Sequence, residues 1–197
     1  MTLFQGAFHM VRNLSFLFAA FTAVPVLALA QAPTAAVPPS ANPISRSQAK
    51  MYSLLSNVVI AGAEKMPEEN YSFKPSPDVR NFGQLVGHLA DSQYFFCSSV
   101  SGDKNGGPAA EKSKTSKAEL IAALKDGVAY CNKTYATMTD ANGSEMMKLM
   151  NIDFTKLTVL SANTAHCYEH YGNMVTYMRM KGIVPPSSEK EASSGQK

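Results

Sequence analysis

The sequence predicts an all-α protein built as a four-helix bundle. Four stretches repeat apolar residues at helical spacing between capping residues, glycines and prolines, and no stretch alternates strictly between apolar and polar as a half-buried strand does. About 140 residues, 44–184, lie between an apolar N-terminal run and a polar C-terminal tail, a length that suits one domain with one core.

Residues 1–30 carry one basic residue, Arg12, an apolar run from Leu14 to Leu29 and the small residues of the closing "LALA". That composition is an export signal, removed from the mature chain, and it places the protein in the periplasm or outside the cell, where disulfides form. Residues 31–43, "QAPTAAVPPSANP", read as an extended Pro/Ala-rich linker. The first helix, about Ile44 to Lys65, spaces Met51, Leu54, Leu55, Val58 and Val59 along one face and stops before the three prolines of "MPEENYSFKPSP". The second starts at the capping residue Asn81, carries Phe82, Leu85, Leu89, Phe96 and Val100, and ends at "SGDKNGGP". The third opens with Ser116 and Glu119 at capping-box spacing and continues through Leu120, Leu124, Val128 and Tyr135. Between it and the fourth helix, "DANGSEMMKLMNID" has room for a short extra turn. The fourth runs from about Thr155 to Gly182, a residue suited to the left-handed cap, with Pro185 and Pro186 preventing resumption. Residues 185–197 are polar and read as a loose tail.

Cutting the signal takes the net charge from +3 to +2. The lysines are scattered among acids, without a basic stripe or interleaved aromatics, which argues against nucleic-acid binding. No second apolar stretch follows the signal, so no membrane association is expected after cleavage. A Gly-rich phosphate loop, a nucleophile elbow and a His-Glu-x-x-His motif are all missing from the sequence.

The cysteines are Cys97, Cys131 and Cys167. Cys97 lies sixteen residues after Asn81 and Cys131 fifteen after Ser116, so the two share a height if the second and third helices run parallel. The loop from Gly102 to Thr115 can stretch roughly 45 Å against a helix of about 31 Å, long enough for that crossover. A Cys97–Cys131 disulfide then follows, contributing on the order of 3 kcal/mol, and buried free thiols remain the alternative. Cys167 is left over. As a helical neighbour of His166 it points about 100° away, which disfavours it as a further metal ligand.

Outside the signal the histidines are His88 in the second helix and His166 and His170 in the fourth. The i, i+4 pair shares one face, with Cβ atoms about 6 Å apart, and His88 shares the apolar face of its own helix. Each thus lies where an unpartnered polar group is costly. Two readings stand: three separately satisfied core histidines, or three imidazoles converging on one metal ion with a coordination position left open. Imidazole suits zinc, nickel, copper and iron, so the expected cofactor is a divalent metal, zinc, nickel or iron. Gln84 and Asp91 near His88, and Asn163 and Asn173 near the pair, are candidates to hydrogen-bond the ligands from behind. Glu169 and Tyr171 adjoin the ligands in sequence but face sideways from them. The methionines of "EMMKLM" and "MVTYMRM" fit core and boundary packing better than soft-metal binding.

The stretches "NFGQLVGHLADSQYFFCSSV" and "HCYEHYGNMVTYMRMKGIVPPSS" resemble the DinB-like (DinB/YfiT) family of metalloenzymes, in particular its exported bacterial members. The similarity covers about 44–188. It implies an up-down-down-up bundle and a divalent metal on three histidines, one from the second helix and two from the His-x-x-x-His of the fourth, which fall on His88, His166 and His170. It also implies pairing of two copies through helices, and an activity among thiol-dependent transferases and an isomerase in which the metal lowers the pKa of a small thiol. For an exported chain with an open three-histidine site the expected activity is that of a metal-dependent transferase or hydrolase on an unknown small-molecule substrate. A non-catalytic exported module that binds metal for stability, storage or signalling is the alternative, since no convincing acid or base adjoins the ligands in sequence.

Overall fold

The computed structural model describes residues 41–104 and 106–189. The expected signal and most of the linker, residues 1–40, and the tail from 190 onward lie outside the described residues.

Helix α1 spans Pro43–Lys65, with proline in its first turn, where a missing N–H costs nothing. Asn42 precedes it at φ 63°, and the cap comes from far along the chain: the Asp140 carboxylate accepts the backbone N–H groups of Ile44 and Ser45 at 3.2 and 2.8 Å. The buried face of α1 is Tyr52, Leu55, Val59 and Ala63, while Met51 and Leu54, expected inside, are exposed. Apolar residues on this helix cover more than one face, and periodicity alone set the phase one position off.

Helix α2, Phe82–Ser101, begins with a capping box in which Asn81 and Gln84 exchange side-chain and backbone bonds, and it ends at Gly102 in the left-handed region. The crossover, a loop by sequence, contains a short helix, α3 (Ala110–Ser113). Helix α4, Lys117–Ala136, is capped by Ser116, whose hydroxyl accepts from the Glu119 N–H and donates to the Glu119 carboxylate. Helix α5 (Asp140–Gly143) supplies the extra turn expected after it.

An antiparallel hairpin follows, β1 (Met146–Leu149) and β2 (Ile152–Thr155), joined through Met150 and Asn151, both at positive φ. The all-α expectation is corrected here. The turn lacks the Asn-Gly or Asp-Gly pair that marks such hairpins, and the closely spaced methionines and leucine fit a helix as well as a strand. Helix α6, Lys156–Met180, starts at the Thr155 cap and closes with bonds from Gly182 N–H to Arg179 and from Ile183 N–H to Met178, the pattern of a left-handed glycine terminus. Residues 185–189 are not the start of a loose tail: Ser187 N–H donates to the Tyr171 hydroxyl, Arg179 bonds Ser188, and Lys65 pairs with Glu189.

The described residues are therefore mostly helical, with four long helices and one small hairpin. Contacts between α2 and α4 climb both helices in one direction: Gly83 against Leu120, Ala90 against Gly127, and the disulfide Cys97–Cys131. One core cluster joins Leu55, Val59, Leu85, Leu89, Leu120, Leu124 and Met174, and a second joins Tyr52, Cys97, Cys131, Tyr135, Val159 and Leu160. Each fully buried leucine among them contributes about 2 kcal/mol by leaving water. Gln93 and Asn163 link the two clusters through hydrogen bonds to Tyr52, Leu89 and Cys131. Cys167, free and buried, accepts a bond from Gln93, and burial pushes its thiol up to about 11, so it sits protonated in the core, away from the histidine cluster.

Candidate metal centre

Helix periodicity delivers His166 and His170 to one side of α6, at the edge of a buried stripe that runs through Asn163, Cys167 and Met174. Ala162, one turn before His166, is exposed. His88 faces them from α2. His88 Nε2 lies 3.1 Å from His166 Nε2, and His170 Nε2 lies 3.1 Å from the same atom. The three possible ligand atoms are within 4.8 Å of one another.

Burial pushes His166 down to about 4, with the neighbouring His170 and His88 adding to the shift, and burial likewise lowers His170. Neutral rings are the form that ligates metal. Nε2 atoms 3.1 Å apart are within hydrogen-bond distance, and as lone-pair donors the same three atoms can share one cation. Two imidazoles on one tetrahedral ion at ordinary bond lengths stand about 3.4 Å apart, close to what the cluster shows. His166 Nδ1 is the buried side-chain polar atom without a hydrogen-bond partner among the described residues, so no hydrogen bond from outside the cluster orients that ring. The residues fit a divalent cation.

Of the four residues expected behind the ligands, one is there: the Asn173 amide lies 3.4 Å from His170 Nδ1. Gln84 is occupied at the α2 cap, Asn163 bonds Gln93 and Cys131, and Asp91 accepts the backbone N–H groups of Ala110 and Glu111. The residue that reaches His88 is Glu111 of the crossover, whose Oε2 accepts from Nδ1 at 3.0 Å. Burial alone would raise this carboxyl, but hydrogen bonds from Arg80 and His88 outweigh it and hold the group below the usual carboxylate range. Sequence reasoning missed Glu111 because loop residues carry no periodicity that would place them.

Two hollows flank the cluster. One of about 480 Å³ has His88, His166, Ser92, Phe95, Phe96, Ala109 and Lys112 in its wall, and the other, about 620 Å³, is polar, with Arg80, Glu169, His170, Asn173 and Tyr177. The Phe96 ring stands 5.7 Å from that of His166.

The sequence profile of the DinB superfamily matches residues 51–174, most of the described chain and all three histidines. The chain belongs to the DinB superfamily. Among curated relatives, the uncharacterized protein YjoA of Bacillus subtilis (strain 168) is 27% identical over 134 residues, which are 64% of this chain and 83% of that protein. The fold resembles the crystal structure of a DinB-like protein from Bacillus cereus ATCC 10987, with TM-score 0.64 and 14% identity over 72% of this chain and 95% of the other. It also resembles the crystal structure of YjoA itself, with TM-score 0.60 and 20% identity over 74% and 99%. A conserved protein from Enterococcus faecalis gives TM-score 0.57 at 13% identity over 70% and 96%. At these identities the structures speak for the fold alone.

Proposed function

We propose that this DinB-superfamily protein is a metal-dependent enzyme, a transferase or hydrolase of a small molecule, whose divalent ion, zinc, nickel or iron, is held by His88, His166 and His170. The observation that carries the reading is the convergence of three imidazoles beside a largely apolar hollow. A divalent cation in that setting supplies Lewis acidity, which makes water or a thiol nucleophilic at neutral pH. The chain's own residues do the rest. Glu111 holds His88 from behind and Asn173 supports His170. Phe95 and Phe96 wall the hollow, shedding water and packing against an apolar substrate body, while Lys112 at the rim favours an anionic end.

The same proposal places the protein in the periplasm or outside the cell, which the apolar N-terminal composition and the closed Cys97–Cys131 bond support. An up-down-down-up helix order is supported by the matched contact heights on α2 and α4. Pairing of two copies is supported by exposed Met51 and Leu54 on α1.

Elemental analysis of the purified protein, followed by thiol-transfer and hydrolase screens with and without chelator, tests the function. Near-stoichiometric metal, turnover abolished by chelator, and loss of both in His88→Ala are expected. Turnover that persists without metal excludes the reading, and metal without chelator-sensitive turnover moves the protein to the non-catalytic class.

A further inference from the structure

Among the described residues, Glu111 is the carboxylate hydrogen-bonded to a ring of the histidine cluster, and it comes from neither helix that carries the histidines. Three separate features bring it there. Asp91, one turn beyond His88, uses both carboxylate oxygens on the backbone of the crossover, accepting from Ala110 at 2.6 Å and from Glu111 at 3.0 Å. Gly87, the residue before His88, leaves the gap into which that backbone settles: a Cβ at this position would lie 2.7 Å from Glu111 Cα and 2.8 Å from its nitrogen. Arg80 then takes Oε1 of the carboxylate at 2.7 Å, which leaves Oε2 for His88 Nδ1.

We infer that Glu111 is a positioning residue for His88: its carboxylate keeps the ring hydrogen on Nδ1 and so turns the Nε2 lone pair toward His166 and His170. The physical argument is that a carboxylate only accepts, so the imidazole nitrogen facing it must carry the hydrogen, and the opposite nitrogen is left as the donor atom for a cation. Arg80 both fixes the carboxylate rotamer through Oε1 and offsets its charge. A tie that merely fastened the crossover to the bundle would not need Oε2 on an imidazole, since Asp91 and Arg80 already fasten it. The inference rests on reading His88 as a ligand, but its first consequence, the hydrogen on Nδ1, holds in the metal-free protein too.

The test compares wild type with Glu111→Ala and Glu111→Gln, metal-free and with zinc added. Nitrogen-correlated proton spectra of the imidazoles, assigned with His88→Gln, are expected to show a slowly exchanging His88 Nδ1 hydrogen in the wild type, lost in Glu111→Ala. Zinc affinity, read by competition with a chromophoric chelator, is expected to fall about 10- to 100-fold in Glu111→Ala and by less in Glu111→Gln. Asp153→Asn, which removes an equal charge from the hairpin, should leave it unchanged. If Glu111→Ala does not fold, Glu111→Gln, which keeps an acceptor without the charge, decides by its weaker zinc binding. An unaltered His88 hydrogen in a folded Glu111→Ala protein, or zinc affinity within twofold of wild type, overturns the inference. A wild type that binds no zinc defeats the metal reading instead, and the metal-free spectra still decide what Glu111 does.

Discussion

His166 shows how a single side chain joins fold to chemistry. Its ring is partly buried, its Nδ1 has no hydrogen-bond partner among the described residues, and its Nε2 faces two other imidazoles. Burial first, then the neighbouring rings, lower its pKa from 6.5 to about 4. The unfolded chain therefore binds a proton between these values that the folded chain refuses, and stability rises with pH across that window. Sign and range follow: the contribution is fully present above about pH 6.5 and is lost as pH falls toward 4. Denaturant midpoints of the metal-free protein should drop between pH 7 and pH 5, with a shallower drop in His166→Asn; equal slopes in the two proteins would contradict the assignment. The three histidines were legible in the sequence because helical phase fixes where an i, i+4 pair points. Glu111 was not, because its place depends on a tertiary fit, a backbone lodged against Gly87 and caught by Asp91.

Each element of the bundle states its ends in local chemistry and its neighbours only indirectly. Asn81, Ser116, Thr155 and Gly182 act at their expected ends because capping is a contact between residues a few positions apart. The hairpin escaped notice because Met150 and Asn151 take left-handed conformations without a glycine to announce them. The turn of α1 by one position has a similar origin, since a helix rich in apolar residues on several faces leaves its partner to choose among them. The disulfide was legible by counting, since Cys97 and Cys131 stand at matching distances from two well-marked caps, and their Cα atoms lie 5.4 Å apart. Closing a separation of 34 residues is worth about 4 kcal/mol through the unfolded chain. Cys97→Ala combined with Cys131→Ala should lower the melting temperature by about 10 °C. Metal binding should survive, because neither residue touches the histidines. An unchanged melting temperature under non-reducing conditions would show that the bond does not carry that weight.

At the scale of the molecule, the candidate centre lies between α2 and α6, helices from opposite halves of the chain, and Glu111 adds the crossover between α2 and α4. A cation that binds only the folded form stabilises all three attachments together, by about 4 kcal/mol at a thousandfold excess over its dissociation constant. Two core clusters hold the helices in register and so bring the three rings together. The central claim is that they meet in order to hold one ion. Anomalous diffraction from crystals grown with zinc, collected on both sides of the absorption edge, tests it directly. One strong peak within about 2.1 Å of the Nε2 atoms of His88, His166 and His170 is the expected result. A map with no peak among those rings, or with zinc only at surface carboxylates, would contradict it.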